Sequence, residues 1–155
     1  MNLKVRWHQP VELFDGKKEN LIYNCDWTRI PEGAGVYIFG RLFASAFAPL
    51  YVGKSKKIAR RIWQHLERNI PLMMMLKNQA KNGQRVVVVG EWKSAPGQKE
   101  SKAIALIESA LIKHALAQGF DIFNDKGTKT TSHTITRVGY KVDGFVPKRM
   151  KVEAR

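Results

Sequence analysis

The chain has 155 residues, 44% of them apolar, which suits one compact domain with a single core. Its 27 Lys and Arg against 13 Asp and Glu leave a net charge of +14, an excess that favours a polyanionic partner and puts nucleic acid first through phosphate contacts and counterion release. The lone Cys25 excludes an intrachain disulfide, a zinc knuckle and a C-x-x-C redox pair, and the scattered His8, His65, His114 and His133 form no metal-binding run.

An anionic membrane surface would also attract such a charge. The basic residues run throughout the chain, however, and no stretch approaches the ~20 apolar residues of a membrane span. Residues 1–14 alternate charged and apolar side chains without the apolar centre of a secretory signal, so a cytoplasmic location is expected.

Residues 1–30 mix short apolar runs with turn signals such as Asp15-Gly16, and predict a strand or two leading into the domain. Gly35-Val-Tyr-Ile-Phe39 has the aromatic and β-branched density of a buried strand, and Leu50-Tyr-Val-Gly53 of a second. Gly40 and Pro49 lie between them, which predicts an antiparallel hairpin with an irregular loop.

Ser55 is the expected cap of a helix running to about Asn69, with Ile58, Ile62 and Leu66 as one apolar stripe. Pro71 suits the first turn of a second helix, which Asn82-Gly83 would end. Residues 85–92, with four consecutive valines, read as a central strand, and residues 99–117 as a helix closed by Gly119. Beyond it lie a weak strand signal at residues 134–138 and a basic tail from Val146, which could track a phosphate backbone, although a disordered, solvated end is the commoner fate of such a segment. The order strand, strand, helix, helix, strand, helix suits a small sheet covered by helices on one or both faces.

Glu108 is the most informative single residue. At 100° per residue it falls at the centre of the apolar face formed by Ile104, Ala105, Leu111, Ile112 and Ala115. An inward carboxylate must be paired with a base such as arginine, protonated, or bound to a metal. Arg61 and His65 stand one helical turn apart beside the Ile58–Ile62 stripe, where they would line a cleft edge or simply be a solvated pair. Tyr37 and Tyr51, on neighbouring strands, read alone as aromatic core residues with satisfied hydroxyls.

Taken together, Gly35-Val36-Tyr37, Tyr51-Val52-Gly53-Lys54-Ser55, Arg61, His65, Glu108 and Asn124 resemble the GIY-YIG nuclease family over about residues 33–126. In that family an arginine follows the second tyrosine by ten residues and a tyrosine or histidine comes four later; Arg61 and His65 reproduce both intervals. Both tripeptides carry Val where the family has Ile, and the 14 residues from Tyr37 to Tyr51 imply a somewhat enlarged hairpin loop.

The resemblance implies an α/β fold: a small, mainly antiparallel three-stranded central sheet flanked by helices. Residues 1–32 would be an N-terminal extension and 127–155 a basic C-terminal extension of one domain. It implies a metal-dependent endonuclease acting on DNA. In it, Glu108 holds one Mg²⁺ or Mn²⁺, Asn124 supports that region, and Arg61 and Lys54 meet the scissile phosphate. Tyr37 or Tyr51 is then the general base, favoured as phenolate by nearby positive charge, with His65 as an alternative proton acceptor.

Lys54, Lys57, Arg61, Lys126 and Lys129 are the expected nucleic-acid contacts. No separate targeting module is evident, so specificity would come from the basic termini, loops, dimerisation or a partner protein. The competing reading is a non-catalytic nucleic-acid-binding domain that keeps the fold for its basic surface.

Overall fold

The structure, a computed structural model, describes residues 2–44, 46–79, 82–124, 131–136, 138, 140 and 148–154. It divides into two compact units, Met1–Phe123 and Asn124–Arg155. In chain order the first unit contains β1 (Lys4–Trp7), β2 (Val11–Glu12), β3 (Phe14–Asp15), β4 (Tyr23–Asn24), β5 (Gly35–Phe43) and β6 (Ala46–Ser55). These are followed by α1 (Ile58–Arg68), α2 (Ile70–Lys77), β7 (Gln84–Lys93) and α3 (Glu100–Ala117). No helix among the described residues is long and apolar enough to cross a membrane.

The central strands are antiparallel, with β5 between β6 and β7. The N-terminal residues extend this sheet: β1 pairs with the last residues of β7 and β2 with its middle, giving five strands where the sequence led us to expect three. Those short segments cover the valine-rich strand on the side away from β5, which would otherwise expose a row of unpaired backbone groups. β3 and β4 pair separately as a small second sheet.

The hairpin of β5 and β6 departs from its expected irregular loop. Both strands continue to a tight turn around Ala44, and Gly40 and Pro49 are paired within the ladder. Pro49 is tolerated because β6 is an edge strand that needs no donor there. The irregularity is a β-bulge: pairing passes from Phe39↔Tyr51 to Gly40↔Pro49, which leaves Leu50 as the extra residue. Its carbonyl accepts the Phe123 N–H at 2.6 Å.

Alternation along the strands divides the core. Tyr37, Phe39, Val87 and Val89 pack with Ile58, Ile62 and Leu66 of α1 and Leu72, Met73 and Leu76 of α2. Ile38 and Val52 pack with Ile112 of α3. The sheet is therefore covered by helices on both faces.

Helix ends refine the expected boundaries. Ser55 does not cap α1; its hydroxyl accepts the Lys57 N–H and donates to the Lys57 carbonyl, both at 2.9 Å, and thereby shapes the turn before the helix. Lys57 is the N-cap, and the first helical N–H, on Ile58, is taken by the Gly33 carbonyl at 3.0 Å. Pro71 does sit in the first turn of α2, behind an N-cap at Asn69. Gly119, at φ +85°, closes α3: its N–H bonds Leu116 O and that of Phe120 bonds Ala115 O, the paired pattern of a left-handed C-terminal cap.

α2 ends at Lys77, before the expected Asn82-Gly83 stop. The Arg85 guanidinium, reaching from β7, donates to the carbonyls of Leu76, Gln79 and Gly83 at 2.8, 2.9 and 2.8 Å and so satisfies the chain as it leaves the helix.

In the second unit β8 (Thr131–Thr136) pairs antiparallel with β9 (Arg149–Ala154). The expected strand at 134–138 thus begins and ends earlier, and residues 149–154 of the basic tail are in a strand.

Because three carbonyls lose a charged donor together, Arg85→Ala should destabilise the fold by about 2–3 kcal/mol. Urea denaturation should read this as a lower midpoint at unchanged slope.

Candidate functional site

The bulge at Leu50 decides which side chains meet. On its far side Tyr37 pairs with Gly53 and Phe39 with Tyr51, so both tyrosines share the face covered by α1. Tyr37 lies directly over Gly53: a Cβ there would overlap the Tyr37 ring carbon and hydroxyl. Glycine is needed at that position as a bed for the phenol.

His65 enters this layer from α1. It is buried, 2% exposed, and its ring stands edge-on to Tyr37, Phe39 and Tyr51 at centroid distances of 5.5, 5.7 and 5.5 Å. Its Nε2 lies 2.7 Å from the Tyr37 hydroxyl, and its Nδ1 lies 2.9 Å from the Asn69 side-chain nitrogen. Burial, and secondarily the Arg61 guanidinium, pushes its pKa down to about 4. The expectation that His65 titrates near the working range is therefore overturned: at neutral pH it is an uncharged, fully engaged imidazole.

Arg61, one turn earlier, stays exposed, with Nη1 3.2 Å from the Gln64 side-chain oxygen. The two residues of the expected pair thus differ, one in the core and one at its mouth. Between them opens a cleft of about 380 Å³ lined by Arg61, Gln64, His65, Arg68 and Asn69.

Burial raises the pKa of Tyr37, and Tyr51 and Glu108 add to the shift, while the charge and hydrogen bonding of Arg61 oppose it. Half-buried Tyr51 is raised for the same leading reason, again lowered by Arg61 and raised by Glu108. Arg61 thus favours each phenolate as expected, but desolvation outweighs it in both phenols.

Glu108 lies half-buried on α3 beside the buried Ile104, Ile107 and Ile112 rather than at their centre. Burial raises its pKa and Lys54, exposed on β6, lowers it. Among the described residues Glu108 forms no ion pair, so no arginine of those residues makes the buried bridge that the sequence left open.

Tyr37, Tyr51 and His65, from β5, β6 and α1, are thus in ring contact, Arg61 and Glu108 influence both phenols, and Lys54 influences Glu108. Lys57 is exposed at the start of α1. Asn124 is half-buried at the start of the second unit, and Lys126 and Lys129 lie outside the described residues.

Asn69 was missed. Two sequence signals could have found it: an Asn before Ile-Pro is a natural helix cap, and it stands one turn after His65.

No protein-family model, no curated protein and no solved structure matches the chain. The chemistry of the site rests on its own residues: two partly desolvated phenols under the influence of an arginine, and a carboxyl that burial pushes up and Lys54 pulls down.

Two outcomes follow. A histidine with a folded pKa near 4 and an unfolded one near 6.5 refuses a proton that the unfolded chain accepts, so stability should fall as pH drops through that window. The loss is about 3 kcal/mol and should be absent from the difference curve of His65→Gln, measured by denaturation from neutral pH down to about 4. Gly53→Ala should displace the Tyr37 ring and break its bond to His65, visible as altered tyrosine near-ultraviolet circular dichroism in a chain that still folds.

Proposed function

We propose that this protein is a metal-dependent endonuclease of the GIY-YIG type that hydrolyses DNA phosphodiester bonds. The observation that supports the reading is that Tyr37 and Tyr51 share one sheet face beside His65, with Arg61 lowering and Glu108 raising the pKa of both phenols. The net charge of +14 and the exposed Lys54, Lys57 and Arg61 suit a polyanionic substrate.

Hydrolysis requires a deprotonated water, neutralised phosphoryl oxygens and help for the departing 3′ oxygen. One of the two phenols accepts the proton of the attacking water, and Arg61, which lowers both phenol pKa values, favours that state. The Arg61 guanidinium offers the phosphate a planar fork, and Lys54 adds a point charge beside Glu108.

Glu108 would hold Mg²⁺ or Mn²⁺. A half-buried carboxylate raised by desolvation gains from a cation, and among the described residues no group of three His, Cys, Asp or Glu side chains converges. Water and substrate oxygens would then complete the shell, as suits Mg²⁺. When bound, the ion supplies charge neutralisation at the scissile phosphate.

Glu108→Ala and Arg61→Ala should each reduce Mg²⁺-dependent cutting of supercoiled plasmid by about a hundredfold or more while DNA binding in gel shift persists. Full cutting by either variant would overturn the assignment. Tight DNA binding by a wild-type protein that never cuts would instead favour a binding domain.

A further inference from the structure

We infer that Asn69 is a positioning residue: its side-chain amide holds neutral His65 in the tautomer with the proton on Nε2, so that His65 donates to Tyr37. The Tyr37 hydroxyl then turns its own proton away from His65. The catalytic consequence rests on the nuclease reading above; the tautomer itself does not.

Asn69 joins two helices. It ends α1, where its N–H bonds the His65 carbonyl at 3.0 Å, and it begins α2 as N-cap. Its side-chain oxygen accepts the Leu72 N–H at 3.3 Å. A backbone N–H can only donate, so the atom facing it must be the oxygen, and this fixes which way the amide is turned.

The group left facing His65 Nδ1, at 2.9 Å, is then the NH₂, which also can only donate. Nδ1 must therefore present its lone pair. A neutral imidazole with an unprotonated Nδ1 carries hydrogen on Nε2, and Nε2 lies 2.7 Å from the Tyr37 hydroxyl. The burial of His65 and its neighbour Arg61 disfavour a second ring proton.

The direction of donation runs from Asn69 through His65 to Tyr37. With His65 as donor, Tyr37 cannot pass its proton inward, while the charge of Arg61 favours the loss of that proton. A Tyr37 oxygen that gives up its proton is still held by the Nε2–H. In the opposite tautomer the phenol would be tied to a ring lone pair, and that lone pair would oppose any phenolate.

The test uses protein labelled with ¹⁵N-histidine and long-range ¹H–¹⁵N spectra at about pH 8, above the ordinary histidine range. Wild type should show His65 protonated at Nε2. Asn69→Asp keeps a good helix cap but replaces the donor with an acceptor, and should move the His65 proton to Nδ1. Asn69→Ser, which caps without reaching the ring, should give a mixture.

For plasmid cutting, Asn69→Asp should lower kcat by about ten- to a hundredfold with KM changed less than about threefold, as loss of a hydrogen bond made to a charged oxygen implies. Asn69→Ser should fall between Asn69→Asp and wild type. A wild-type His65 protonated at Nδ1 overturns the assignment outright. A switched tautomer with unchanged kcat overturns the positioning role. Nε2 protonation in a wild-type protein that cuts no DNA overturns the nuclease reading and leaves the tautomer standing.

Discussion

One extra residue in β6 sets the register on which the site depends. Beyond the bulge, toward the turn, partners such as Gly40↔Pro49 and Phe43↔Ala46 follow a pairing that, carried on unchanged, would put Val52 opposite Tyr37. Tyr51 would then face the other side of the sheet, because side chains alternate and a one-residue slip exchanges faces. Leu50 absorbs the slip, bringing Tyr51 to the side of Tyr37 and leaving Gly53 under the phenol. The Phe123 N–H on the Leu50 carbonyl ties this offset to the segment that follows α3, the helix bearing Glu108.

Once Tyr37 is on the α1 face, it is buried in the cluster that contains Ile58, Ile62 and Leu66, and its hydroxyl needs a partner, since an unsatisfied buried hydroxyl costs about 1–3 kcal/mol. His65 meets that need and creates another, because its second nitrogen is buried too. Asn69 completes the series where one helix gives way to the next. Three polar side chains thus form one satisfied chain from the sheet to the α1–α2 junction. A satisfied chain of this kind stiffens its members, and it binds the position of the phenol to the capping of α2.

Much of this was legible in the sequence because it follows from local pattern. The β-branched run around Tyr37, the Ile58–Ile62–Leu66 stripe, the valine strand and Gly119 each act through nearest neighbours, and the structure puts each in the expected kind of element. The bulge was not legible: Gly40 and Pro49 carry the composition of a loop, and only long-range pairing keeps them in a ladder. Arg85 illustrates the same limit, since the carbonyls it collects lie across the α2–β7 connection and no periodicity announces them. For the site, residue identity pointed to Tyr37, Arg61 and Glu108, while the protonation of His65 depended on burial that a helical stripe indicates only in outline.

The electrostatics of the site follow from that burial. Desolvation pushes both phenols and the Glu108 carboxyl toward their neutral forms, while Arg61 and Lys54 work in the opposite direction without prevailing. Ionising Glu108 makes either phenol harder to ionise, so the local positive charge cannot serve all three groups at once. A divalent cation at the carboxylate would relieve the conflict by favouring the ionised carboxylate and reversing its influence on the tyrosines. On the proposed nuclease reading, phosphodiester oxygens would bring negative charge of their own, and the exposed Lys54, Lys57 and Arg61 would meet it. A metal, the substrate and the ionisation of a phenol would on that reading be linked through one charge balance.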